Sequence, residues 1–258
     1  MTYLSRERVL HQNSDASGYG LNAASRARKI ATIRSFYKYL TNKVHLIKEN
    51  PVKDLDSPKL KKTLPKYLTL EESVQLLSSV DGQNRERDYC ILTLFLNCGL
   101  RISELCALNT TDIQDDALRV LGKGNKVRIV YLNDACKEAL SGYLAMRRPI
   151  VGRDQNALFL SSRNERVSRS TVHALVKKHL SEAGLDSTQY SAHKLRHTAA
   201  TLMLQNGVDV KAVQEVLGHE HLNTTEIYTH IDNEALRVAA KANPLSRVKP
   251  PKKNKAGK

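Results

Sequence analysis

A stretch near the end of the chain places residues that can do chemistry in a regular order. His193 and Arg196 are three residues apart, a spacing that puts both on one face of a helix. His219 directly follows Gly218, and Tyr228 comes nine residues later. Each alone has an ordinary explanation as a capping, surface or packing residue, but cations and a phenol together contribute little to a core. An arginine fork can bind two phosphate oxygens and an activated phenol is a nucleophile, so these residue types are able to do chemistry, and the joint pattern is hard to explain by packing.

The helices that must hold these residues can be predicted from the surrounding sequence. Ser191 predicts the start of an amphipathic helix and Gly207 its end, and a second amphipathic helix is expected to end at Gly218. A short third helix is expected to carry Tyr228. The apolar positions are Leu195, Ala199 and Leu202 in the first helix and Val210, Val213 and Leu217 in the second, and Asn223 with Glu226 resembles the cap of the third.

Two more basic residues lie upstream in distinct local patterns. Arg101 belongs to the segment CGLRISEL at 98–105, where a new helix is predicted, and Glu104 is expected to hold its guanidinium from three residues on. Lys123 belongs to the turn GKGNK at 122–126. Because apolar residues alternate in the segments before and after this turn, the sequence predicts a β-hairpin with Lys123 at its tip.

Taken in order, these motifs resemble the tyrosine recombinases, also called the phage integrase family, and most of all its Xer-like subgroup. The resemblance covers roughly residues 20–245. It implies a mainly α fold with a small β-hairpin or sheet, in the α+β class. It also implies a helical core-binding domain at 1–55, a basic linker at 56–67, a mixed but mostly helical catalytic domain at 68–247, and a disordered basic tail at 248–258. Residues 1–55 have room for fewer helices than the family's first domain usually has, so a shortened domain is expected.

The resemblance also implies a role for each candidate residue. Tyr228 is the expected nucleophile, His193 the base, Lys123 the acid for the departing 5′-oxygen, and His219 a hydrogen-bond donor to a non-bridging oxygen. Arg101 and Arg196 would bind the phosphate. The expected reaction is site-specific cleavage and rejoining of DNA through a 3′-phosphotyrosyl link, without metal, cofactor or ATP. Four protomers, or a partner recombinase, would assemble on double-stranded DNA, and the last helix, 233–242, would dock on a neighbour.

The composition fits a partner that is a polyanion. The formal net charge is +15 and the sequence pI is about 9.7, which favours nucleic acid. A long helix is predicted from Asn22 to about Thr41, and its basic residues are candidate DNA contacts: Arg26, Arg28, Arg34 and Lys38. No stretch resembles a membrane span or a secretory segment. The four cysteines form no Cys-x-x-Cys pair, which fits a reducing cytoplasm and argues against a zinc or redox site.

Three alternatives remain open from the sequence. Residues 198–217 also resemble a helix-turn-helix, which would make the chain a DNA-binding regulator without catalysis. A shortened, inactive recombinase is a second alternative. A type IB topoisomerase, which shares the chemistry, is a third. The first leaves Arg101, Lys123, His219 and Tyr228 unexplained.

Overall fold

The computed structural model describes residues 21–59, 66–122, 125–147, 154–218 and 233–251. The chain divides into two compact units, Met1–Pro65 and Lys66–Lys258. In the described part, no helix is long and apolar enough to cross a membrane. The predicted α+β class is confirmed, because helices dominate and the strands form one small antiparallel sheet.

The first unit is organised around one long helix, α1, Ala23–Asn42. Its predicted cap is confirmed: the Asn22 side chain accepts a hydrogen bond from the backbone N–H of Ser25 at 2.7 Å. Ile30 is buried on this helix. The guanidinium of Arg34 donates to the Leu55 carbonyl and to the Ser57 hydroxyl, so it fastens the following segment to the helix.

The second unit contains the helices that build the candidate site. Those that precede the sheet are α2, Leu70–Ser78, α3, Arg85–Cys98, and α4, Ile102–Ala107. Those that follow it are α5, Asp134–Met146, α6, Arg169–Glu182, α7, Ala192–Gln205, α8, Val210–Leu217, and α9, Asn233–Lys241. A 3₁₀ helix at Thr110–Asp112 leads into the sheet, and another, Pro244–Arg247, follows α9.

The sheet has three antiparallel strands in the order β1, Ile113–Gln114, β2, Ala117–Leu121, and β3, Val127–Tyr131. Strands β2 and β3 form the predicted hairpin, with Val120 opposite Arg128. The first strand is a two-residue edge that the sequence pattern did not indicate, because two residues are too short to show an alternation. Toward the turn the hairpin loses its apolar burial, since Leu121 and Val127 are half exposed.

Helix α3 is the centre of the core. Every residue of it from Asp88 to Cys98 is buried, and it packs against α5 on one side and α7 on another. Phe95 and Leu96 on α3 are fully inaccessible to solvent. The helix ends at Gly99, whose φ of 57° is left-handed. A buried helix of this kind gives fixed end points to whatever is attached at its termini.

Three buried asparagines, here called the asparagine network, hold the last part of the chain to this core. Asn133 donates to the Asn97 side chain at 2.8 Å and to the Ala240 carbonyl at 3.1 Å. Asn243 donates to the Leu96 carbonyl at 3.0 Å. The network therefore joins α3, the start of α5 and the end of α9 through neutral groups whose hydrogen bonds are satisfied.

The last helix, α9, packs on its own chain, against α8 and β3. Arg237 pairs with Asp116 and lies 4.5 Å from the ring centre of Tyr131. The family resemblance had instead implied docking on a neighbour. In this structure α9 packs against its own chain, and docking on a neighbour stays a prediction about the assembly on DNA.

One local prediction needs correction: the sequence predicts Ser170 as the cap of the helix that ends near Gly184. Helix α6 is capped by Ser168, which accepts from the Thr171 N–H at 3.1 Å, and not by Ser170, because Ser170 already lies inside the helix. Ser191, by contrast, occupies the N-cap position of α7 as predicted, although its side chain makes no capping hydrogen bond. Ser168 and Ser170 are only two residues apart, and propensity alone does not fix a boundary to one residue.

Candidate active site

Arg196 joins the ends of two helices. It lies in the first turns of α7 and is 5% exposed. Its Nη1 donates to the Gly99 carbonyl at 2.6 Å and its Nη2 to the Leu217 carbonyl at 2.7 Å. Helices α3 and α8 therefore end side by side. A Cβ on Gly99 would lie 2.3 Å from Leu217 Cδ2, so this close approach requires glycine.

Arg101 lies at the N-cap of α4 and is held by the residue that the sequence indicated. Its Nη1 donates to Glu104 Oε1 at 2.7 Å, and its backbone N–H donates to Glu104 Oε2 at 2.8 Å. Its Nη2 donates to the Gly218 carbonyl at 2.9 Å. The Arg101 side chain is 36% exposed, so this guanidinium is fixed in position while one side remains open to solvent.

A third arginine in the same place was missed by the sequence analysis. Arg128 on β3 binds both carboxylate oxygens of Glu104, at 2.9 Å each, and its Nε donates to the Val216 carbonyl at 3.3 Å. In the sequence it resembles an ordinary solvent-facing position of an alternating strand. Only its buried acceptor distinguishes it, and that acceptor comes from a distant helix.

Arg101, Glu104, Arg128 and Arg196, here called the arginine cluster, form one electrostatic unit. Arg196 Nη1 lies 3.9 Å from Glu104 Oε2, so the carboxylate faces all three guanidinium groups. Within the described residues, Glu104 is the carboxylate paired with each of them, which leaves an excess of two positive charges. An excess of this kind in a partly desolvated place favours an anion.

Both buried members of the cluster have shifted pKa values. Burial opposes the charged form of Glu104, but hydrogen bonds from Arg128 and Arg101 and the charge of Arg128 outweigh it, so the pKa of Glu104 is lowered. Burial, and next the charge of Arg101, lower the pKa of Arg196 to about 10. Both groups are therefore ionised at neutral pH.

His193 and His197 lie one helical turn apart on α7, and His197 directly follows Arg196. The two imidazole rings meet edge to face, with centroids 4.8 Å apart. Partial burial, followed by the charges of His197 and Arg196, lowers the pKa of His193. A neutral imidazole can accept a proton, so the environment suits the predicted base. The charge of Arg101 also contributes to the shift, which places His193 in the field of the arginine cluster.

The other predicted site residues are distributed differently. Lys123, His219 and Tyr228 lie outside the described residues, although Gly122 and Gly218, which directly precede Lys123 and His219, are described. Gly218 has a left-handed φ of 65° and ends α8 as predicted. The four candidate DNA contacts lie on α1 in the first unit: Arg28 and Lys38 are exposed, and Arg26 and Arg34 are partly buried. The hydrogen bonds of Arg34 give it a structural role, and DNA contact by these four stays a prediction.

No group of three or more metal-ligating side chains is assembled within the described ranges. The four cysteines are free thiols. Cys98 and Cys136 have sulfur atoms 3.7 Å apart in the core. Burial raises the pKa of Cys136 well above that of an ordinary thiol, so this pair behaves as small apolar side chains.

Comparison with known proteins shows which family has this arrangement. A model of the phage integrase family matches residues 66–235. The tyrosine recombinase XerC of Caldanaerobacter subterraneus subsp. tengcongensis is 56% identical over 224 residues, which cover 86% of this chain and 64% of that protein. The chain thus spans just under two thirds of this relative's length.

Two solved structures share the fold. The crystal structure of XerA recombinase has 33% sequence identity and a TM-score of 0.56, over 83% of this chain and 74% of that one. XerH recombinase bound to its difH substrate has 28% identity and a TM-score of 0.61, over 87% and 67%. The matched segment contains the whole arginine cluster as well as the hairpin and α7 to α8. With its sequence motifs and its fold in agreement, the chain belongs to the phage integrase family, also called the tyrosine recombinases, and is similar to its Xer-like members.

Proposed function

We propose that the protein is a site-specific DNA recombinase that cuts and rejoins DNA through a 3′-phosphotyrosyl intermediate. The observation that carries this proposal is the arginine cluster. In it the two predicted catalytic arginines, Arg101 and Arg196, lie with Arg128 around Glu104, so three guanidinium groups and one carboxylate leave an excess of two positive charges. A phosphodiester passing through a pentacoordinate transition state gains negative charge. Preorganised guanidinium groups stabilise that charge without needing a metal ion.

In the proposed reaction, Tyr228 attacks the phosphorus and the bond to the 5′-oxygen breaks. A free phenol has a pKa near 10, so only about one in a thousand is ionised at pH 7. His193 takes the phenolic proton, and its lowered pKa keeps it neutral and ready to do so. Lys123 gives a proton to the leaving 5′-oxygen, and His219 donates a hydrogen bond to a non-bridging oxygen. The new phosphotyrosyl ester keeps the energy of the original bond, so rejoining requires no ATP.

The proposed partner is a double-stranded recombination site, bound by four protomers or together with a partner recombinase. XerH, a structural relative, is described in complex with its difH DNA substrate. The charge of +15 supports a grip on phosphates, and α1 supplies exposed basic side chains for it. The free cysteines fit a cytoplasmic protein. The reaction would serve integration, excision or chromosome dimer resolution.

The test is covalent trapping. The protein is incubated with nicked suicide substrates that carry candidate recombination sites, and protein–DNA adducts that resist denaturation are measured. The proposal expects an adduct with the wild-type protein and none with Tyr228→Phe, while DNA affinity stays nearly equal. An adduct that persists in Tyr228→Phe would assign the nucleophile elsewhere. Absence of any adduct although the site is bound would support the non-catalytic regulator or the inactive recombinase.

A further inference from the structure

The hairpin that carries Lys123 needs an anchor close to its turn. Its apolar burial ends before the turn: Val120 and Val130 are buried, whereas Leu121 and Val127 are about half exposed. Beyond the last strand pair, the Gly122 N–H donates to the Lys126 carbonyl at 2.8 Å. A two-stranded ribbon with so little buried surface has weak intrinsic order.

Arg128 supplies a connection between that region and the rest of the site. It lies opposite Val120, one residue pair from the end of the ladder, and its side chain is 15% exposed. Its two terminal nitrogens bind the two oxygens of Glu104 in parallel. A bidentate bond to a buried carboxylate fixes both the distance and the orientation of the strand.

The same carboxylate orients Arg101, so the two contacts share one reference point. A Cβ added to Gly122 would lie 3.6 Å from Arg128 Nη1 and 3.9 Å from Glu104 Oε1, which shows how closely the base of the turn approaches this pair. The Nε contact to Val216 is longer, at 3.3 Å, and is the weaker of the two attachments. All three guanidinium nitrogens of Arg128 donate to protein acceptors, so this side chain is suited to fixing the hairpin.

We infer that Arg128 is a positioning residue that sets the Lys123 hairpin relative to the Arg101–Glu104 pair, and that it acts on the reaction through the proton that Lys123 delivers to the leaving oxygen. This inference rests on the proposed function. It adds a residue whose loss slows protonation of the leaving oxygen by Lys123, while Arg101 and Arg196 still bind the phosphate. The conservative change Arg128→Lys keeps the charge but loses the parallel fork.

The test compares two leaving groups. Adduct formation is measured for the wild type, Arg128→Gln, Arg128→Lys, Lys123→Ala and the control Arg119→Gln, on ordinary DNA and on DNA with sulfur in place of the bridging 5′-oxygen. A thiolate can leave without being protonated, because the pKa of a thiol lies far below that of an alcohol. Arg119 is a fair control, since it lies on the adjacent strand and pairs with Asp112 while half exposed.

On ordinary DNA, Arg128→Gln is expected to form adduct roughly 10- to 100-fold more slowly than wild type, because general acid catalysis typically contributes about 10²–10⁴. The sulfur substrate is expected to restore most of the rate, as it does for Lys123→Ala. Arg128→Lys is expected to behave like Arg128→Gln, and Arg119→Gln like wild type. An equal loss on both substrates, or no loss on either, would overturn the inference.

A second measurement separates this inference from the proposed function. Amide hydrogen exchange of the folded Arg128→Gln protein, without DNA, is expected to be faster in the hairpin than in Arg119→Gln or wild type, with the exchange of α3 unchanged. Unchanged exchange in the hairpin would reject the positioning role whether or not the enzyme cleaves. Absence of wild-type adduct together with faster hairpin exchange would reject the proposed function and keep the anchoring role of Arg128.

Discussion

The arginine cluster and the asparagine network are two buried polar groups on neighbouring parts of the same core, and they are built on opposite plans. In the asparagine network, neutral amides satisfy one another and the backbone, and no charge remains. In the arginine cluster, three cations share one carboxylate, and part of Arg101 remains open to solvent. A neutral network whose hydrogen bonds are all made stabilises the fold, whereas a charged cluster with excess positive charge favours the binding of an anion. The difference separates a structural polar group from a site.

The largest expected effect comes from Arg196→Lys. Lysine keeps the charge but cannot bridge the Gly99 and Leu217 carbonyls while it also presents donors to phosphate, so the adduct rate at saturating DNA should fall roughly 10²- to 10³-fold. Arg147→Lys is the matched control, because Arg147 also donates to several backbone carbonyls but lies outside the cluster. Equal losses in the two variants, per folded molecule, would remove the special status of the cluster.

Glu104→Gln should lower the free energy of unfolding by about 3 kcal/mol or more, because it leaves three guanidinium groups without their buried counter-charge. Urea denaturation would measure this effect in chloride and again in sulfate at matched ionic strength. Sulfate should recover part of the loss by binding the more positive cluster. Asp112→Asn, which removes the charge of another buried carboxylate, serves as the control for the general effect of sulfate. If sulfate recovers both variants equally, the anion demand of the cluster is disproved.

Asn133→Ala should lower the free energy of unfolding by about 1–3 kcal/mol, since the Asn97 side chain and the Ala240 carbonyl lose a buried partner. Unlike the loss of stability caused by Glu104→Gln, this loss should be the same in sulfate as in chloride. The adduct rate per folded molecule should remain at the wild-type level, measured under the same saturating conditions. A fall in rate comparable to that of Arg196→Lys would mean that the asparagine network belongs to the active site.

The smallest expected effect is one of pH. The pKa of Glu104 is lowered in the folded protein, so its stabilising contribution is present above its unfolded pKa, near 4.3, and is lost as the pH falls through the lower folded value. The asparagine network does not titrate. The difference in the free energy of unfolding between wild type and Glu104→Gln, measured by urea denaturation at a series of pH values and followed by circular dichroism, should therefore shrink below about pH 4. A difference that stays constant with pH would show that the charge of Glu104 contributes nothing.

The sequence was a good guide to elements that end with a distinct residue. Asn22 and the left-handed Gly218 each marked a boundary that the structure confirms. These signals are local, because a cap or a left-handed glycine acts within one turn of its helix. The interaction of Arg101 with Glu104 could be predicted for the same reason.

What the sequence missed depends on contacts between distant segments. Arg128 has its acceptors 24 residues away at Glu104 and 88 residues away at Val216. Arg196 was expected to reach toward phosphate, but its burial against two carbonyls depends on how α3 and α8 end side by side. The contacts of both arginines follow from tertiary packing, which no spacing rule along the chain contains.

The carbonyls at the end of α8 have one more consequence, for the tolerance of this chain to insertions and deletions. Val216, Leu217 and Gly218 each accept from a different arginine, on three separate elements. A shift of one residue would move each carbonyl about 1.5 Å along the helix axis and rotate it by about 100°. The end of α8 thus acts as a fixed register mark. Insertions and deletions should therefore be tolerated before Asp209. The number of residues between Gly218 and the segment that contains Tyr228 is then counted from a position that does not move.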